Sequence, residues 1–482
     1  MEDIIMLGYI ILAVIAVFIA VILVRTLTFT PKAETKPEII DWKFDGDKAV
    51  DHLAQMIRCK TVSYDDTSLE DNAEFDKFKA LLREFYPNVF EKCEYEEVGR
   101  RGIFLKLKGK GNGQPSVFMA HYDVVPVMEE LWERDAFCGE VIDGELWGRG
   151  ALDTKVTLCG SLEAAETLLA KGFVPENDII LAYCGDEETS GSSAEAATKL
   201  LAERGIVPAF VLDEGGAVVE NVFPGVKEQC AVIGIAEKGL MNIDLTIRGN
   251  GGHAATPPPK SNIGQLADAV AAIEKNPFPR ELTKPIAEMF DTLGRRSTFL
   301  YKMIFANLWC FMPVLDMICK KSGGDLNAMM RTTVAFTKME GSDAYNVMPP
   351  EAKIGANLRL MGSMTTGKAV EYLNKVVNNK NIEITISQGM DPSPCSVTDT
   401  AGWQHLKDAV SQTWPGAVVS PYLMLQCSDC RHYSRISPNC YRFSAMHLTS
   451  EERARIHGNN ERVPVEKVKD TVRFYLNIIS KR

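Results

Sequence analysis

Apolar runs in this chain repeatedly give out onto an acid or an imidazole, and that pattern limits the fold more than any other feature. Val117-Phe118-Met119-Ala120 leads into His121, residues 178–184 lead into Asp186, Glu187 and Glu188, and Val211-Leu212 leads into Asp213. Short apolar runs without polar alternation suit strands buried on both faces, the condition of a parallel sheet covered by helices. Amphipathic segments at 161–171 and 193–204 supply such helices, and residues 102–108 add a further strand. In this α/β architecture, ligands and catalytic groups collect beyond the carboxyl ends of the strands. The polar residues are therefore expected at one edge of one sheet.

A chain of 482 residues exceeds what one core usually fills, about 250 to 300 residues. The rhythm changes at residue 238. Strand 241–248, helix 263–274, strands 332–338 and 352–360, helix 367–378 and strand 382–387 follow in βαββαβ order, the pattern of a ferredoxin-like unit. From 391 the first rhythm resumes, with strands at 417–425 and 440–446 and a closing helix at 464–479. The expected organisation is a larger catalytic unit, 40–237 and 391–482, interrupted by a smaller lid unit at 238–390. Residues 280–330 add an apolar helical insertion to that lid. Lys302, Asn307, Pro313 and Asp316 interrupt it as a membrane span, which leaves helices packed over a cleft or set on a membrane surface.

Residues 4–24 carry no charge and as a helix would cross roughly 30 Å of hydrocarbon. Glu2 and Asp3 precede them and Arg25 follows, unlike a cleaved leader, which starts basic and ends in small residues. The segment reads as a single-pass transmembrane anchor with a tether at 25–39. Arg25, Lys32, Lys36, Lys43 and Lys48 all follow it, so the positive-inside rule favours a cytoplasmic body. A net charge of -11 argues against a nucleic-acid partner, whose binding needs a basic face. Cys427 and Cys430 form a CxxC with no second pair at zinc-ribbon spacing, and the other cysteines read as free thiols.

The chemistry lies in the polar ends of the runs. His121 and Asp123 point the same way on an extended chain, so the carboxylate can fix the imidazole; alone, such a pair is more often a surface contact. Asp153, in Gly148-Arg149-Gly150-Ala151-Leu152-Asp153-Thr154-Lys155, reads by itself as a helix cap. Asp186, Glu187 and Glu188 repel one another unless a cation neutralises them. Asp213 repeats the motif, and Ile456-His457-Gly458-Asn459-Asn460-Glu461 adds a second imidazole. Two histidines with several carboxylates suit Zn²⁺, and also Co²⁺ or Mn²⁺.

The ordered motifs HYDVVP, GRGALDTK, DEETSG, DEGG, GGHAATPP, NVMPP, NLRL and HGNNE resemble the aminoacylase and carboxypeptidase family of dinuclear zinc metallopeptidases. That family includes glutamate carboxypeptidase, acetylornithine deacetylase and succinyl-diaminopimelate desuccinylase. The resemblance runs from about residue 45 to the end, and within the family it is strongest to the branch of carboxypeptidase S and N-fatty-acyl-amino acid synthase/hydrolase. It implies two Zn²⁺ ions bridged by Asp153, with His121 and Asp213 at one and Glu188 and His457 at the other. It further implies Glu187 as general base, Asp123 as the residue orienting His121, and His253 as the group steadying the oxyanion, supplied in dimeric members by the opposite subunit across the lid. Arg359 and Asn346 match positions that bind the substrate's carboxylate end. Ser428 lies in a segment similar to GTDSRHY, with Cys427 standing where the glycine would be.

The function expected is hydrolysis of an amide beside a free carboxylate, releasing an amino acid from an N-acyl or N-fatty-acyl amino acid. A carboxypeptidase or dipeptidase acting on short peptides is the alternative. A non-catalytic anchored binding protein would be expected to lack a ligand or the base, and none is missing.

Overall fold

Val117 and Met119 pack to one side of their strand, Phe118 and Ala120 to the other, and all four are buried. This double burial accounts for the unbroken apolar runs. The computed structural model describes every residue except Met1, Glu34, Thr35 and Val222. Its 8-stranded sheet runs in the order Cys93–Val98, Gly102–Leu107, Ile179–Cys184, Ser116–His121, Phe210–Val219, Cys440–Leu448, Cys230–Glu237 and Val418–Met424. The centre is parallel, Ser116–His121 lying between Ile179–Cys184 and Phe210–Val219, with Cys440–Leu448 parallel beyond. Antiparallel pairings at Gly102–Leu107 and Cys230–Glu237 make the whole a mixed sheet.

One face is covered by the helices Lys155–Ala170 and Val465–Ile479, the other by Ser193–Glu203 and Cys430–Tyr433. Lys155–Ala170 begins earlier than its apolar period suggests, because Lys155 is wholly buried with its Nζ donating to the carbonyls of Met56 (3.0 Å) and Cys59 (2.7 Å). Burial lowers the Lys155 pKa to about 8. Phe118 is inaccessible to solvent, so Phe118→Ala would cost about 3–5 kcal/mol.

A second, 4-stranded antiparallel sheet has the order Thr333–Glu340, Glu351–Leu360, Gly239–Arg248, Ile382–Met390. Its first and third strands in sequence are central, and the helices Asn262–Lys275 and Thr366–Val377 bury Met241, Ile243, Leu245 and Ile247 on one face. This is the order of a ferredoxin-like unit.

Residues 280–330 are helical, but their main partner is the large sheet. Lys284–Gly294 packs beside Val418–Met424, and its Ile286, Met289, Phe290 and Leu293 join the large core at helical spacing. The apolar stripe of Lys284–Gly294, expected as part of a lid insertion, is thus core of the other sheet. Phe299–Ala306, Leu308–Ser322 and Gly324–Met330 follow. At the N-terminus, Glu2–Thr28 forms one helix of 27 residues whose apolar side chains are almost all exposed. The segment read as a tether starts inside that helix and then lies along the body, where Lys32 pairs with Asp291 at 2.8 Å and Arg295 Nη1 donates to the Thr30 carbonyl at 2.9 Å. Glu34 and Thr35 of the expected tether lie outside the described residues.

Candidate active site

His121 is the last residue of its strand and pairs in register with Cys184, so the turn after Cys184 carries Glu187 and Glu188 alongside it. Gly185 permits that turn, since a Cβ there would lie 2.5 Å from the Tyr122 ring. A 3-stranded sheet of Glu140–Ile142, Glu145–Trp147 and Arg462–Pro464 brings in the rest. Pairing of Trp147 with Arg462 sets the Asp153 loop against the segment bearing His457 and Glu461. Glu461 is fully buried and accepts the backbone N–H of Gly150 (3.1 Å), Leu152 (2.6 Å) and Asp153 (3.2 Å), while Arg149 Nη1 donates to it at 2.7 Å.

Asp153 stands between the two histidines. His121 Nε2 is 3.1 Å from its Oδ1 and His457 Nε2 is 3.1 Å from its Oδ2. His457 Nε2 also lies 3.1 Å from Glu188 Oε2. The His457 backbone has φ of +58°, a region that non-glycine residues seldom occupy outside constrained sites. His121 Nδ1–H donates to the Asp123 carbonyl at 2.9 Å, which leaves Nε2 facing the carboxylates. Asp123 Oδ1 is 3.4 Å from Nδ1, so the backbone oxygen is the closer orienting group.

Asp213 does not join this group. Its carboxylate accepts the Cys430 N–H at 2.8 Å, whereas Glu214 Oε1 lies 3.4 Å from His121 Nε2. Of the two acids that close this run, Glu214 is the one at ion-pair distance from His121. Successive residues of a strand face opposite ways, and the register to Cys440–Leu448 slips from Asp213↔Arg442 to Gly216↔Phe443, lifting Glu214 out of the ladder. Two sets of possible ligand atoms result, His121 with Glu187 and Glu214, and His121 with Asp153 and Glu188, each within 4.8 Å.

These carboxylates are costly as they stand. Burial, with Asp429, Glu214 and Glu188 nearby, holds Glu187 well above the ordinary carboxylate range despite His121. Burial raises Glu188 too, with Asp153 adding to it, and pushes Glu214 up to about 8. Burial disfavours charge on His121, yet Glu214, Asp123 and Asp153 keep it well above its usual value. Hydrogen bonds that His457 donates to Asp153 and Glu188 raise its pKa to about 10. A cluster of two imidazoles, His121 buried and His457 exposed, with four largely shielded carboxylates whose charges repel fits divalent cations, and its N and O donors are those that hold zinc, cobalt or manganese.

The remaining residues divide. Arg359 is half-buried, its Nη1 3.4 Å from Cys427 Sγ, and among the described residues it faces no carboxylate. Ser428 is buried; its N–H donates to Glu237 at 2.8 Å and its Oγ has no partner among the described residues. His253 and Asn346 sit together on an exposed ribbon, Gly252–His253 pairing with Val347–Met348, away from the carboxylates. His253 Nδ1 accepts the Ala255 N–H at 3.1 Å. All twelve cysteines are free thiols, and burial raises Cys427 to about 11. The sequence reading passes over Glu214, Glu461 and Arg431, whose Nη1 lies 3.9 Å from Glu187 Oε1. Glu214 and Glu461 both lie inside motifs already singled out, DEGG and HGNNE, but no local feature sets either apart from the polar residues beside it.

A cavity of about 520 Å³ opens from Asp153, Glu187, Glu188, Glu214 and His457. Val219, Val232, Met329, Met424, Met446 and Leu448 make much of its wall, and Asp325 and Arg453 also line it.

Comparison with known proteins shows the family and the fold. The N-fatty-acyl-amino acid synthase/hydrolase PM20D1 of Xenopus tropicalis is 33% identical over 96% of this chain and 93% of its own length. A probable carboxypeptidase S-like 2 of Dictyostelium discoideum is 32% identical over 95% of this chain and 91% of its own. The fold is shared with the M20 family metallo-carboxypeptidase Sso-CP2 of Sulfolobus solfataricus, at a TM-score of 0.67 and 16% identity, covering 90% of this chain and 98% of that one. Residues 117–481 match the profile of peptidase family M20/M25/M40, and the chain belongs to that family of metallopeptidases and amidohydrolases.

Proposed function

We propose that this chain is a membrane-anchored dizinc hydrolase that cleaves N-fatty-acyl amino acids into a fatty acid and an amino acid. The observation that carries the substrate is the cavity, whose apolar wall begins at the carboxylate cluster and is large enough for an extended acyl chain. A relative of similar length is named for the same substrate class. Two bound cations would supply Lewis-acid polarisation of the amide carbonyl and lower the pKa of the attacking water.

The chain's own residues do the rest. His457 and Glu188 would hold one cation and His121 and Glu214 the other, with Asp153 within reach of both; Asp213 accepts the Cys430 N–H. Glu187, largely shielded from solvent, takes a proton from the attacking water and passes it to the leaving nitrogen as the C–N bond breaks. Arg359, which faces no carboxylate among the described residues, binds the substrate's carboxylate, and Ser428 Oγ, without a partner among them, lies in the same loop as its neighbour Cys427.

His253, exposed on its ribbon outside the cavity, would serve the site of a second chain in a dimer formed through the 238–390 lid, with Asn346 beside it. The anchored reading is supported by the docking of the first helix on the body, where Arg25 Nε and Nη2 donate to the Ala306 carbonyl at 3.1 and 3.0 Å. The positive-inside rule weakly favours a cytoplasmic body. Action on short peptides is the second reading, favoured by Asp325 and Arg453 in the cavity wall.

The test is release of oleate and amino acid from an N-oleoyl amino acid by the full chain, before and after chelation and after return of Zn²⁺. Activity lost and restored in step with metal supports the proposal; turnover that survives removal of both ions overturns it.

A further inference from the structure

Phe299–Ala306 and Leu308–Ser322 meet at a bend of 114° at Asn307, and that bend is fastened to the first helix. Asn307 Nδ2 donates to the Ile22 carbonyl and to Thr26 Oγ1, both at 3.2 Å, and Arg25 donates to the Ala306 carbonyl. One turn beyond, the rings of Phe18 and Trp309 meet edge to face with centroids 5.6 Å apart. Phe18 precedes Arg25 by seven residues, a rise of roughly 10 Å along the helix into its uncharged part.

We propose that this bent pair is a lipid-docking element, set into the bilayer surface beside the anchor; the inference rests on the anchored reading above. Trp309 is carried to the depth at which interfacial helices lie, about 5–10 Å below the headgroups. On Leu308–Ser322 the exposed Trp309, Val314, Met317 and Ile318 share one side, while Leu315 and Cys319 on the other are buried in the large core. Phe299, Leu300 and Tyr301 extend the exposed apolar surface on the neighbouring helix. Leu300 is 62% exposed and Met317 63%. Large contiguous apolar patches mark contact sites. Continuity with the anchor decides the occupant: a protein partner would have to displace the lipid that the first helix already brings to Trp309.

The position also serves the proposed substrate. Gly323 and Gly324, both at positive φ, turn the chain from Leu308–Ser322 directly into Gly324–Met330, whose Met329 lines the acyl cavity. An acyl chain leaving the bilayer at this element therefore has a short path to the site.

The test reconstitutes the full chain and its Trp309→Phe variant in phosphatidylcholine vesicles brominated either near the glycerol end or near the methyl end of the acyl chains. The difference between the two proteins isolates the Trp309 emission from that of the other tryptophans. Loss of most of that emission with the glycerol-end bromines, and less with the methyl-end ones, is expected. Vesicles are washed in alkaline carbonate in parallel. If the chain stays bound but Trp309 is quenched by neither lipid, the docking inference is overturned and the anchor stands. If the wash releases the chain, the anchored reading fails and takes this inference with it.

Discussion

Asp123 accepts the backbone N–H of Glu187 at 3.1 Å through Oδ1. Its other oxygen accepts the N–H of Glu188, also at 3.1 Å, and the Ser63 hydroxyl at 2.7 Å. A wholly buried carboxylate thus fixes the turn that carries the proposed base and a proposed ligand, while its own backbone carbonyl orients His121. One residue at the end of a strand sets the relative position of three functional groups, as preorganised catalysis requires.

Glu187→Gln keeps the shape of the side chain and removes its basicity. Both metals are expected to remain by elemental analysis, while kcat falls by at least about 100-fold, the range for loss of a general acid–base. Near-normal turnover would show that Glu187 does not move the proton.

Glu214 and Asp213 are separable by metal content. Glu214→Ala is expected to drop bound metal towards one ion per chain, because Glu214 is the carboxylate beside His121. Asp213→Asn should keep both ions and lower thermal stability instead, since it weakens the bond to the Cys430 N–H. The opposite pairing of results would return Asp213 to the site.

The acyl assignment predicts a change of chain-length preference. Val219→Phe puts a ring into the cavity, and kcat/KM for an N-oleoyl amino acid should fall by about 10-fold or more while the N-acetyl analogue is little affected. A matched loss on both substrates would place the acyl chain elsewhere.

His432 gives a stability test away from the metals. Burial, with Arg431 and Arg435 adding to it, depresses His432 from 6.5 to about 4, and its Nδ1 has no hydrogen-bond partner among the described residues. As pH falls from 6.5 the unfolded chain gains a proton that the folded chain refuses, so stability drains away down to about 4. His432→Gln removes this contribution, and its Tm should decline less than that of the parent between those two pH values. Parallel declines would mean that His432 is protonated in the fold.

Much of this was legible because it depends on period and order. Strands such as Ser116–His121 declare themselves by unbroken apolar runs, while His121, Asp153, Glu188 and His457 stood out as a ligand set through the ordered motifs that carry the family resemblance. The exchange of Asp213 for Glu214 was not legible, since both acids close the same run and a register slip decides which one turns inward. Nor was the packing of Lys284–Gly294 on the large sheet, because an amphipathic stripe states that a face is buried without naming what buries it. Glu461 acts on Asp153 across a strand pairing between segments more than 300 positions apart, and nothing local in either announces it.

The central claim is tested most directly by kcat/KM of the zinc-loaded full chain on N-oleoyl, N-acetyl and dipeptide derivatives of one amino acid. The account predicts that the oleoyl compound is preferred, because its chain fills the apolar wall from Val219 to Leu448. Preference for the dipeptide, with the oleoyl compound turned over poorly, would contradict it and make the chain a tethered peptidase.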